Sequence, residues 1–182
     1  MQLCRIIFLV LILISAAYES NAQRNAIGTS WSMSTIGITY EYQVKENTFL
    51  LAGIHMELGE AFLNRSQKPG YGASFTWNSI IAETESVNGN SIKFFAGPGA
   101  AVGYCKDLRL INKEHGLHGA YFGLKGRAGL EIQYDRKVNI IVCVAPVLGL
   151  HLAEDNGNYL ARYYRYGILQ TIMPEISINY RF

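Results

Sequence analysis

Between residue 36 and residue 182 the chain repeatedly places apolar side chains on every second position, in runs that no 3.6-residue period competes with. In Ile36–Val44, Ile36, Ile38, Tyr40, Tyr42 and Val44 fall on one side, with Gly37, Thr39, Glu41 and Gln43 on the other. Leu50, Ala52, Ile54, Met56 and Leu58 likewise oppose Leu51, Gly53, His55, Glu57 and Gly59. Tyr71, Ala73, Phe75 and Trp77 oppose Gly72, Ser74, Thr76 and Asn78. The cleanest run sets Leu124, Gly126, Ala128, Leu130, Ile132 and Tyr134 against Lys125, Arg127, Gly129, Glu131 and Gln133. A period of two is the signature of strands with one apolar face.

Turn residues punctuate these runs at Lys45-Glu46-Asn47, Asn88-Gly89-Asn90 and Asp135-Arg136-Lys137. Longer polar stretches separate others: Glu60–Gly70, Lys106–His118 and Ala153–Tyr166. If Ala26–Ser32 is a strand of its own, eight strands follow, near 26–32, 35–44, 48–60, 70–82, 91–105, 118–134, 138–152 and 167–182. Lys45–Asn47, Glu83–Asn90 and Asp135–Lys137 then fall on one side, and the three long stretches with one tight turn near Met33-Ser34 on the other. The expected fold is all-β: an eight-stranded antiparallel up-and-down β-barrel, its even strand number and unequal loops suiting a transmembrane barrel.

The first residues read differently. Arg5 precedes an apolar run from Ile6 to Ala17 broken only by Ser15, and Ser20-Asn21-Ala22 puts small residues at a cleavage site. That order predicts a cleavable secretory signal peptide over 1–22 and a barrel domain over 23–182. The run is too short for a membrane helix, which needs about 20 apolar residues. No later stretch reaches that length, so insertion into a bilayer would require strands closed into a barrel. A net charge of +2 gives no argument for nucleic acid. Cys105 and Cys143 lie on strands that are not neighbours, which predicts two free buried thiols.

Alternation leaves open which face looks inward. A soluble, lipocalin-like periplasmic barrel binding an apolar ligand would turn the apolar face inward. Two features favour the reverse. Gly37, Gly53, Gly59, Gly72, Gly97, Gly99, Gly103, Gly123, Gly129 and Gly149 all share the polar face. Glycine weakens a strand, but an eight-stranded lumen has room only for packed side chains, so small residues must alternate with long ones. Also on the polar face, Glu41, Glu57, Glu131 and Glu175 match Lys93, Lys125, Arg127 and Arg181 in number. That balance suits an enclosed charge network. The apolar face of the four runs above carries no charge, as hydrocarbon demands, since a mid-bilayer basic residue costs about 2–4 kcal/mol. Pro98, Pro146 and Pro174 break the pattern, because a closed barrel has no edge to accommodate them. Pro98, between Gly97 and Gly99, predicts a bulge.

The C-terminal segment reads Pro174-Glu175-Ile176-Ser177-Ile178-Asn179-Tyr180-Arg181-Phe182. Its alternation ending on an aromatic, together with the leader and the strands, resembles the small eight-stranded outer-membrane barrels of Gram-negative bacteria, the OmpX and OmpA-barrel kind. The resemblance covers the mature chain in pattern and the last strand in motif. It implies that Ile176, Ile178, Tyr180 and Phe182 form a signal read by the barrel-insertion machinery. It implies membrane lipid and lipopolysaccharide as surroundings and an extracellular partner reached through the loops. The expected role is non-enzymatic: a packed lumen and a rigid shell that displays loops for interaction or envelope integrity.

Lipid A-modifying enzymes share this scaffold and define a third reading. His151, with Glu154 and Asp155 nearby, lacks the serine such a deacylase needs two residues on, where Ala153 stands. His55 and Glu57 read as network members. His115 and His118 flank Gly116-Leu117 and are too few to close a metal site. No catalytic, cofactor or metal residues are therefore expected. Tyr159, Tyr163, Tyr164 and Tyr166, with Arg162 and Arg165, predict an interfacial aromatic girdle.

Overall fold

A computed structural model describes residues 24–58, 69–85, 91–107, 118–135, 137–155 and 158–182. The predicted leader over 1–22 lies outside the described residues, as do Gly59, His115 and most of the stretches Glu60–Gly70 and Lys106–His118.

Ten strands form one sheet that closes on itself. They are β1 (Asn25–Trp31), β2 (Thr35–Lys45), β3 (Thr48–Glu57), β4 (Gly70–Glu85), β5 (Ser91–Lys106), β6 (His118–Asp135), β7 (Val138–Val144), β8 (Val147–Asp155), β9 (Asn158–Tyr163) and β10 (Glu175–Arg181). One short helix, α1 (Arg165–Leu169), lies between β9 and β10. Every pairing is antiparallel. β1 to β6 pair in chain order, and β10 pairs with both β7 and β1 to close the ring. The lower half of β6 pairs with β7 and its upper half with β8, so these two strands form one interrupted stave. The wall is thus an eight-stranded antiparallel barrel, with β9 added beside the top of the seventh stave.

The last part of the chain departs from the predicted strands. A strand over 167–182 was expected; the structure has helix α1 there first and begins β10 at Glu175. The expected loop 153–166 instead carries the end of β8 and all of β9. Two prolines account for this. Pro146 sits in the gap between β7 and β8, and its carbonyl accepts the Gly126 N–H at 2.9 Å. A Cβ at Gly126 would lie 3.7 Å from Pro146 Cγ, an ordinary van der Waals contact. Pro174 immediately precedes β10, where a missing donor costs the ladder nothing. Pro98 produces no bulge: Thr76↔Gly99 and Ser79↔Ala96 keep one register across it, and the shift comes at Ile80/Ala82. The flanking glycines remove the side-chain crowding, and the ladder loses pairs at Pro98 without gaining a residue.

The orientation of the faces is unambiguous. Ile38 is 53% exposed and Leu124 73%, whereas Glu41 and Arg127 are each 2% exposed. The apolar side faces out and the charged side faces the lumen. A lipocalin-like barrel requires the opposite arrangement.

Candidate functional site

Lumen-facing residues of β2, β3, β4, β5, β6, β7, β8 and β10 fill the interior in layers. At the end carrying the β2–β3 turn, Arg181 Nη2 donates to Glu41 Oε1 at 2.7 Å and to Glu131 Oε1 at 3.4 Å. Asn139 Nδ2 donates to Glu131 Oε1 at 2.7 Å, Asn179 Nδ2 to Glu41 Oε2 at 3.2 Å, and Thr39 Oγ1 to Asn179 Oδ1 at 3.2 Å. Every partner in this layer is buried. Gly28 of β1 faces the Asn179 side chain so closely that a Cβ would strike it. Lys93 lies nearer the rim, 3.7 Å from Glu83 Oε1.

An apolar cluster of Phe49, Phe95, Ile141 and Cys143 fills the next level. Arg127 crosses it, its guanidinium 5.4 Å from the Phe95 ring centre and its Nη2 3.0 Å from Glu175 Oε1. Above it, Lys125 Nζ donates to Ser74 Oγ at 3.1 Å. Lys125, Ser74, His55, Tyr121 and Glu175 line a cavity of about 30 Å³. A single water occupies roughly 10–15 Å³ of such volume, so the space suits one or two waters and no larger solute.

The far end is closed from inside by the segment after β9. Tyr164 points into the lumen and stacks on Tyr121, with ring centres 4.4 Å apart and planes 9° apart. Its hydroxyl donates to Glu57 at 3.1 and 3.3 Å and meets Cys105 Sγ at 3.6 Å. Burial, then the Glu57 carboxylate, push the Tyr164 phenol well above its ordinary value, so it remains a donor. His55 Nε2 lies 3.0 Å from Tyr121 Oη and 3.6 Å from Glu57 Oε1. Gly72 makes this possible, since a Cβ there would lie 2.6 Å from His55 Nε2. Asp107 fastens the segment by accepting the N–H groups of Arg165 at 3.3 Å and Tyr166 at 3.0 Å.

The eight charged residues read as a network thus occupy four places. Glu41, Glu131 and Arg181 share one layer, Arg127 and Glu175 pair above it, and Lys125 and Glu57 stand in the upper lumen, with Lys93 near the rim. Three parts were not read from the sequence. The roles of Asn139 and Asn179 follow from the alternation, which puts both on the lumen face. Asp107 and Tyr164 carry no periodic signal. Of the four tyrosines expected in a girdle, only Tyr159 and Tyr163 are exposed, at 85% and 77%; Tyr164 and Tyr166 are buried in the barrel because the chain turns inward after β9.

His151 is 3% exposed, and its Nε2 contacts the Cys105 carbonyl at 3.0 Å. His118 stacks on Tyr104 with ring centres 6.0 Å apart. Cys105 and Cys143 are both free and buried. Among the described residues, no group of three or more His, Cys, Asp or Glu side chains is placed to hold a metal ion. Of the C-terminal residues, Ile178 and Tyr180 face outward, Ile176 and Phe182 are half-buried, and the Phe182 N–H donates to Asn25 O at 2.9 Å.

No family model matches the chain, and no curated protein matches it. Among solved structures it is similar to the N-terminal β-barrel domain of Pseudomonas aeruginosa OprF. The TM-score is 0.52 at 10% identity, covering 89% of this chain and 100% of that domain. What the two share is the barrel fold.

Proposed function

We propose that the chain is a non-enzymatic outer-membrane β-barrel, exported by its leader, that holds its connections at the cell surface for interaction or envelope integrity. The observation that carries this is the inside-out distribution of polarity. Charged residues fill a narrow lumen, while Ile36, Ile38, Ile54, Leu124 and Leu148 stand exposed around the wall. In water such a belt is a large contiguous apolar patch, which soluble monomers avoid; in a bilayer it is the required surface. Aromatic residues bound it. On β5, Phe94 and Tyr104 both face outward ten residues apart. At the usual strand rise and a 35–45° tilt that separation is about 25 Å along the barrel axis, the height of an outer-membrane apolar band. The similar fold of the OprF β-barrel domain supports the barrel architecture on which this reading rests.

The packed column argues against an open pore. Lipid and lipopolysaccharide would surround the wall, and Ile176, Ile178, Tyr180 and Phe182 would be read by the insertion machinery. The lipid A-modifying reading loses its support at His151, which is enclosed and bonded to a backbone carbonyl. Membrane fractionation with a heat-modifiability gel tests the proposal. The full chain is expected in the outer-membrane fraction, migrating faster unheated than boiled. Release as a monodisperse protein in detergent-free buffer would overturn it.

A further inference from the structure

Lys125 is enclosed in the lumen without a carboxylate of its own. It is 9% exposed, and its Nζ donates to Ser74 Oγ at 3.1 Å. The ion pairs among the described residues join His55 to Glu57, Lys93 to Glu83, Arg127 to Glu175, and Arg181 to both Glu41 and Glu131. None of them includes Lys125. An ammonium has three N–H donors, and the Ser74 hydroxyl meets one of them. A buried charge also needs a counter-charge, which a neutral partner does not provide. The carboxylates nearest in the fold are committed elsewhere. Glu175 lines the same cavity, but its Oε1 is 3.0 Å from Arg127 Nη2. Glu57 accepts from the Tyr164 hydroxyl and lies beside His55.

We infer that the cavity of about 30 Å³ beside Lys125 is a binding site for a small monovalent inorganic anion, a halide such as chloride, paired with the ammonium. Ser74 supports the same ion. Its oxygen accepts from Lys125, so its own O–H is free to donate into the cavity. The buried Ser30 hydroxyl lines the same space. Leu51, Ala145 and Val147, all buried, give it apolar walls. Such walls lower the local dielectric and strengthen the attraction between ammonium and anion. Size sets the class of ligand: a halide ion takes the place of one of the waters the cavity suits, whereas a polyatomic oxyanion or a carboxylate does not. Water alone would satisfy the N–H donors and leave the charge uncompensated. The site is made by the packing of the lumen, so it goes beyond the outer-membrane reading without resting on it.

Urea titration of the full chain in detergent micelles tests this, with sodium chloride exchanged for sodium gluconate. Constant ionic strength keeps the screening of exposed charges unchanged, and gluconate is too large for the cavity. For a site with Kd of ~10 mM, ~100 mM chloride should lower the unfolding equilibrium constant about ten-fold relative to gluconate. Lys125→Met replaces the buried ammonium by an apolar side chain of similar length, an exchange that folded proteins tolerate. Its unfolding constant should be the same in both salts. Gly53→Ala keeps Lys125 and fills the site instead. A Cβ at Gly53 would lie 3.8 Å from Ser74 Oγ and 3.5 Å from Ile38 O, ordinary contacts, yet it adds a methyl group to the cavity lining. This variant should keep the unheated gel mobility and lose most of the chloride response. A native chain indifferent to chloride, as water alone in the cavity requires, would overturn the inference. So would a response that persists undiminished in Lys125→Met or in Gly53→Ala. A failed membrane fractionation would overturn the location and leave the chloride result standing.

Discussion

Replacing Glu175 by Gln should destabilise the barrel more than any exposed charge change, because it strands the most enclosed cation in the lumen. The Arg127 side chain is 0% exposed and that of Glu175 is 15% exposed, with 3.0 Å between them. The Phe95 face at 5.4 Å is another charge-stabilising contact on Arg127. Removing one partner of a buried pair costs about 3–5 kcal/mol, most of it the penalty of the charge left behind. The slight exposure of Glu175 places the expectation near the lower end, about 3 kcal/mol. Arg127→Met should cost less, because Glu175 lines the same cavity as Lys125 and keeps a cation nearby. The double variant should recover most of the loss, since an apolar side chain suits the Phe49, Phe95, Ile141 and Cys143 cluster. Urea titration in lipid vesicles, followed by the fluorescence of outward-facing Trp31 and Trp77 and by unheated gel mobility, measures all three variants. If the single effects add to within about 0.5 kcal/mol, the pair is not coupled and the reasoning fails.

Leu124→Arg, on the outer face near the middle of the belt, should cost about 2–4 kcal/mol in a bilayer; a neutral result in the same titration would contradict the lipid-facing assignment. Tyr164→Phe deletes the donor to Glu57 and should cost about 1–3 kcal/mol, with faster proteolysis of the segment between β9 and β10. Gly72→Ala forces apart His55 and Tyr121 and should cost about 1–3 kcal/mol, read from the urea midpoint. A small maleimide should label Cys105 and Cys143 only after unfolding, because both thiols are enclosed; rapid labelling of the folded chain would contradict the packed lumen. His151→Ala should leave the lipid A profile unchanged by mass spectrometry.

The strands from β2 to β7 were legible because one physical signal, period-two alternation, fixes both existence and face, whereas β1 was expected only as the strand that brings the count to eight. Lys125, Arg127 and Glu131 fall on the lumen face for the same reason that Leu124 and Leu130 do not. The partners within the lumen were less legible. Alternation places Glu41 and Arg181 on one face but says nothing about register across the closing pair β1–β10, which sets their 2.7 Å contact. The region from Pro146 to Pro174 was misread because the apolar positions 168 and 172 mimic strand continuation. A helix of five residues is too short to show its own period, and a single stave split into two strands looks continuous.

The lumen network takes on a different role once the outer face is assigned to lipid. In a soluble protein, apolar burial supplies the main driving force for packing the core. Here most apolar side chains are spent on the exterior, where, on the proposed reading, lipid would replace neighbouring strands as the partner. The interior must then be made specific by groups that each accept few arrangements. Arg181 between two carboxylates, Arg127 on Glu175, and Tyr164 on Glu57 each tie staves that are far apart in sequence. A one-residue slip of a strand would carry its share of these charges to the outer face. The ion pairs therefore contribute less through their own net stability, which buried pairs seldom supply, than through the cost they impose on every wrong closure of the barrel.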